Sequence, residues 1–224
     1  AYFPDIHRSF KITLLCARKG ETAPSFQAAF YIDPRQVPHP DTLLDRVASG
    51  KDFFDMEIET IRRFSPDSLS VMEFQTRRDY EIAEKIYDDH PLLGQNVPDS
   101  WNVKFTREFD MTNDRDLFNT RGVGLPLYEG KMIHQYDAFY APPQYWVEEH
   151  RGRERLANKT GLDYQRCRLA VRSIASSTNE RTLISTVLYP GVVCGNSILI
   201  AQAGDTQTDH WLALSSILNS YLLD

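Results

Sequence analysis

The sequence predicts an α+β fold: a mixed, largely antiparallel sheet with helices packed on it. After residue 120, strand-like runs outnumber helical ones and lack the regular strand–helix rhythm of a doubly wound sheet. Several of those runs alternate apolar and polar residues, the period of a half-buried strand. The helical runs carry apolar residues along one side and recognisable start signals. The mix of 42% hydrophobic and 25% charged residues over 224 positions suits a globular chain that can bury a sizeable core.

Taken in order, RSFKITLLCA (8–17) reads as a buried strand and SFQAAFYI (25–32) as its neighbour across the polar break Arg18-Lys19-Gly20-Glu21. Pro34, Pro38 and Pro40 then interrupt regular structure. PDTLLDRVAS (40–49) and FDMEIETIRRF (54–64) read as short helices, the second with Met56, Ile58 and Ile61 on one side. TRRDYEIAEKIYDDH (76–90) is the best-signalled helix of this half. Thr76 and Asp79 make a capping-box pair, Ile82, Ile86 and Tyr87 form an apolar stripe, and His90-Pro91 ends it.

WNVKFTREF (101–109) alternates as a strand and MTNDRDLF (111–118) follows as a capped turn. In PPQYWVEEHRGRERLANK, Pro142 or Pro143 can open a helix. YQRCRLAVRSIA (164–175) alternates Cys167, Leu169 and Val171 with Arg166, Arg168 and Arg172, which predicts one buried and one cationic face. RTLISTVLYP and GVVCGNSILIA read as two further strands around Pro190-Gly191. TQTDHWLALSSILNSYLL closes the chain as a helix with Trp211, Leu214, Leu218 and Tyr221 on one side.

No run approaches the roughly 18 apolar residues of a membrane helix, and no signal-peptide pattern opens the chain. Cys16, Cys167 and Cys194 are isolated, as expected of reduced thiols in a cytoplasmic protein rather than a disulfide framework or a zinc site. The chain opens without an initiator Met, which fits a piece of something longer. The net charge of −6 is uneven: 13 acidic against 7 basic residues over 41–90, but 8 basic against 5 acidic over 141–190. Local positive charge, not the whole-chain balance, marks a polyanion-binding surface, although Arg151 to Arg155 also suit a solvated helix face.

Two chemistries compete for LPLYEGKMIHQYD (125–137). Asp116, Glu129 and Lys131 have the order of a metal-dependent nuclease site, two carboxylates for Mg²⁺ and an amine for developing charge. The pattern is common in a chain with 31 acidic residues. The other chemistry is nucleic-acid recognition. Arginines share one strand face, Gln135, Gln144 and Asn179 offer bidentate amides, and Tyr128, Tyr136, Tyr140, Tyr145 and Trp146 crowd the surrounding loops. A third possibility is a protein-interaction domain that docks through the acidic 41–90 half. Gly122 and Gly124 stand beside Pro126 rather than a helix start, so no nucleotide loop is formed. Serine-hydrolase and paired His or Cys metal motifs are absent.

The segments quoted above resemble a known family. LPLYEGKMIHQYD is similar to the Pro-Leu-Tyr-Glu-Gly-Lys-Met-Ile segment of large adenine-N6 DNA methyltransferases of restriction-modification and phage-defence systems. YQRCRLAVRSIASSTNERTLISTVLYPGVV is similar to their later arginine strand and Thr-Asn-Glu-Arg-Thr turn. FPDIHRSFKITLL, WNVKFTREFDMTNDRDLF and the closing LALSSILNSYLLD extend the likeness over nearly the whole chain. Two departures stand out: Gln135-Tyr136-Asp137-Ala138-Phe139 replaces a Gln-Phe-Asp-His-Arg run, and Ser216-Ile217-Leu218-Asn219-Ser220 replaces a Leu-Leu-Asn-Ser run.

The family's Asn-Pro-Pro-Tyr motif and S-adenosylmethionine loop precede this region and are not in the chain. The resemblance therefore implies a target-recognition module, catalytically inert alone, whose parent enzyme uses S-adenosylmethionine and is in some cases fused to a restriction nuclease. Its implied partners are double-stranded DNA and the methyltransferase core of the same polypeptide, with no membrane. The implied layout is a strand pair against that core (1–35), a helical connector with one strand (36–120) and the recognition segment (121–224). The implied DNA contacts are Lys131, His134, Gln135, Arg166, Arg168, Arg172, Asn179 and Arg181.

Overall fold

The computed structural model describes residues 13–20, 22–32, 40–98, 100–175, 179–202 and 206–223. Contacts divide the chain into two units, 1–92 and 93–224. The expected boundaries at 35 and 120 are not where the contacts divide. Residues 93–120, read as connector, pair within the second unit.

The first unit runs through strand β1 (Ser25–Ala28), helix α1 (Pro40–Ala48), strand β2 (Phe54–Glu57), helix α2 (Ile58–Phe64) and helix α3 (Arg77–Asp89). β1 pairs antiparallel with β2, Phe26 opposite Met56. It does not pair with 13–17, which take no regular structure and expose Leu14 and Leu15; positions 8–12 and the proline-rich 34–38 lie outside the described residues. β2 occupies what reads as the start of a helix. Phe54 and Met56 are buried and alternate with exposed Asp55 and Glu57, so the two-residue period wins until Ile58.

The capping box forms at α3 as expected, with Asp79 N donating to Thr76 Oγ1 at 3.2 Å and Thr76 N to Asp79 Oδ2 at 2.9 Å. The helix turns a different stripe inward, however. Tyr80, Ala83 and Tyr87 pack with Phe54, Phe64 and Phe74, while Ile82 and Ile86 stay exposed. Aromatic edges set that orientation: Phe74 and Tyr80 meet edge-on at 5.4 Å between ring centroids.

The second unit contains β3 (Phe105–Thr106), β4 (Phe118–Asn119), β5 (Leu125–Tyr128), β6 (Tyr145–Val147), helix α4 (Glu149–Leu156), β7 (Arg168–Arg172), β8 (Ser185–Leu188), β9 (Val193–Cys194), β10 (Ile198–Ala201) and helix α5 (Thr208–Leu218). One sheet has the order β3-β10-β7-β8 and is antiparallel throughout; the other has the order β4-β6-β5-β9, in which only β5–β9 is parallel. The fold class is α+β, as the sequence predicts, with three mostly antiparallel sheets among the described residues rather than one. After Pro142-Pro143 the chain forms β6 before turning helical at Glu149.

β7 is covered on both faces. Leu169 and Val171 pack with Trp211 and Leu214 of α5 and with Ala201. Ala170, on the opposite face, joins Ile198, Ile200, Tyr128, Met132 and Ile133. Fully burying such a side chain contributes about 1.5–3 kcal/mol, so neither face is surplus. Tyr221 lies beyond the end of α5 and is 87% exposed, so it does not extend the inward Trp211–Leu214 stripe. Among the described residues, no helix is long and apolar enough to cross a membrane.

Candidate nucleic-acid interface

The arginines of β7 do not make a cationic surface. Arg168 shares its side of the strand with Ala170 and therefore points into the interior, where it is 0% exposed. Its guanidinium donates to Glu108 Oε1 and to the Val192 carbonyl. Glu108 also accepts from Cys194 N at 2.8 Å and from Thr160 Oγ1 at 3.4 Å. Burial pushes the Glu108 carboxyl above its usual range, opposed by Arg168, and pushes the Cys194 thiol up as well. Arg168 is thus a structural group that ties Glu108 to both sheets, and its expected DNA contact is overturned.

Arg172, half-buried at the end of β7, donates to the Ile133 carbonyl. Burial lowers its pKa. It too acts inside the fold, pinning the turn that follows β5. Gln135 is held inward by donating to the Leu183 carbonyl at 3.1 Å, and the half-buried His134 ring lies tilted against Tyr140, 4.9 Å between centroids. Arg166 and Asn179 are exposed, while Arg181 lies over the Tyr221 ring at 3.7 Å. Of the eight expected contacts, Lys131 and Arg172 share a small pocket with Glu129, and among the described residues only Lys131 of the eight also lines a larger concave surface.

That surface is a cleft of about 660 Å³ beside β4, β5 and β6, lined by Arg115, Phe118, Arg121, Glu129, Lys131, Gln144 and Tyr145 among others. Local structure explains each position. Tyr128 ends β5 with its side chain buried, and Glu129-Gly130-Lys131 turns sharply into a short 3₁₀ stretch, Gly130–Met132. Met132 and Ile133 enter the core at 0% exposure, which leaves Lys131 outside. Gly130 is closely packed: a Cβ would stand 3.0 Å from Arg172 Cγ and 3.1 Å from the Ser197 carbonyl, tighter than ordinary contact. Its N–H donates to Ser197 Oγ at 2.9 Å.

On the opposite wall, Asn119 braces the 120–124 loop. Its side chain accepts from Arg121 N at 3.0 Å and donates to the Val123 and Trp146 carbonyls at 2.9 and 3.1 Å. The loop needs glycine at 124, where φ is +101° and a Cβ would run into the Val147 carbonyl. Arg121, thus presented, is 71% exposed and 3.5 Å from Glu148. Lys131 Nζ donates to Gln144 Oε1 at 2.9 Å and lies 3.2 Å from Glu129 Oε2. The lining carries three cations against one carboxylate, with two aromatic rings and an exposed amide. Arg115 and Arg121 are absent from the sequence-derived contacts; the signal for them was the Asn119–Gly124 loop, whose short polar residues and glycines mark a built turn.

The nuclease grouping is not brought together in the cleft. Asp116 pairs with Arg151 at 3.5 Å and does not line the cleft. No group of three or more His, Cys, Asp or Glu side chains able to hold a metal occurs among the described residues. Neither a scan against protein-family models nor a search of curated proteins gives a match for this chain.

Proposed function

We propose that this chain is a DNA-recognition module of an adenine-N6 methyltransferase of the restriction-modification or phage-defence type, working in the cytoplasm on double-stranded DNA. Catalysis and S-adenosylmethionine belong to the methyltransferase core of its parent. A methyltransferase must extrude its target base, and a separate surface has to grip the duplex while it does so. The observation that carries the reading is the composition of the cleft. Exposed Arg115, Arg121 and Lys131 suit phosphate, Gln144 suits a base edge, and Phe118 and Tyr145 supply stacking area. The Glu129-Gly130-Lys131 turn, central to the family resemblance, forms one wall of it.

This assignment replaces β7 with the cleft as the DNA-facing surface. The test is a salt series of duplex binding with wild type and the Arg121→Ala/Lys131→Ala double variant. Wild type should bind at low salt and weaken steeply as salt rises. The double variant should bind more weakly on every sequence, with the logarithmic salt slope reduced by about 2, one for each lost phosphate contact. Wild type failing to bind at about 50 mM salt, where such contacts are strongest, sinks the reading.

A further inference from the structure

The cleft holds one carboxylate among its cations, and no phosphate-binding role accounts for it. Glu129 is 20% exposed; its Oε2 is covered and lies 3.2 Å from Lys131 Nζ, so the carboxylate meets the cleft through its other oxygen. The same ammonium donates to Gln144 Oε1, which leaves the Gln144 NH₂ to donate elsewhere. Phosphate oxygens only accept hydrogen bonds and repel a carboxylate, so a surface that merely gripped the backbone would be weakened by Glu129.

A base edge is different, because an exocyclic amino group donates while the atom beside it accepts. Adenine offers N6–H beside N7, and cytosine offers N4–H beside O6 of its paired guanine. Resting on the DNA-recognition reading above, we infer that Glu129, Lys131 and Gln144 read one base edge that carries an exocyclic amine. Glu129 accepts the amine hydrogen, and Lys131 or Gln144 donates to the neighbouring acceptor. The partial burial of Glu129 sharpens the choice. A keto group in the amine's place would set acceptor against acceptor.

The experiment is selection of the whole chain on a randomised duplex library, with wild type, Glu129→Gln and Gln144→Leu in parallel and thermal unfolding as the folding control. Wild type should enrich adenine or cytosine at one position. Each variant should relax that position by about five- to 150-fold while leaving the others unchanged. Duplexes with purine for adenine, or 2-pyrimidinone for cytosine, then identify the base, because only the analogue lacking the recognised amine loses affinity. Binding without a base preference, a preference that both variants keep, or indifference to both analogues overturns the inference and leaves the DNA-recognition reading intact. Failure of wild type to bind any duplex overturns both.

Discussion

Arg168 on β7 and Lys131 after β5 are both cations set beside apolar residues in the sequence, and each meets a carboxylate in the fold. Arg168 is enclosed on a central strand covered on both faces, whereas the Lys131 side chain is 56% exposed at the mouth of a cleft. The difference lies in what stands behind each strand face. β7 has α5 against one side and the residues around Tyr128 and Met132 against the other, so a charge on either side must find an internal partner. Lys131 sits where the chain leaves a strand, and only one of its sides is occupied. A charge on a strand enclosed on both faces serves the fold; the same charge left outside where the chain turns off a sheet can serve a ligand.

Removing the interior charge should therefore have the largest effect. Arg168→Ala strands Glu108, and urea unfolding should show a loss of about 3–5 kcal/mol, with Arg168→Met/Glu108→Gln recovering much of it. An unchanged midpoint for Arg168→Ala would mean that the pair does not hold the two sheets. Next comes Gly124→Ala, where a positive φ and the Val147 carbonyl leave no room; more than about 1 kcal/mol should be lost in the same assay. Asn119→Ala should cost about 1 kcal/mol or somewhat more for its broken loop hydrogen bonds. It should also weaken duplex binding by displacing Arg121. If it lowers stability but leaves binding untouched, Arg121 is not positioned by that loop.

These contrasts also show which parts of the fold were legible in the sequence. Thr76 with Asp79 announces a cap because the signal is local and the partners are three residues apart. The α+β class was legible because the counts and periods of many segments agree. The orientation of α3 was not, since Ile82 and Ile86 are as apolar as Tyr80 and Tyr87, and aromatic packing from distant Phe54 and Phe74 decides between them. Alternation in β7 separates two faces correctly but says nothing of which face meets water. Glu108, which decides it, lies 60 residues away in the chain. Lys131 is named through the family resemblance, but its place in the 3₁₀ stretch after β5 was not legible, and Arg115 and Arg121, which share its cleft, come from earlier segments of the chain.

The smallest effects distinguish two buried carboxyl groups, Glu108 and Asp114, by the sign of their pH dependence. The Glu108 carboxyl is held above its ordinary value by burial. It therefore contributes stability that is complete below the unfolded value, near pH 4 to 4.5, and is lost as pH rises through the raised folded value. Asp114 is opposite. Burial pushes it up, but Arg155 Nε at 2.6 Å and Asp110 N at 2.8 Å outweigh that and hold it below the usual range. Its contribution is present above the unfolded value and disappears as pH falls through the depressed folded one. Unfolding midpoints taken across the acid range should accordingly separate the two. Glu108→Gln should flatten the decline on the rising-pH side, and Asp114→Asn should flatten the decline on the falling-pH side. If both substitutions flatten the same side, burial does not dominate at Glu108, and the contrast between a carboxyl governed by burial and one governed by its hydrogen-bond donors is lost.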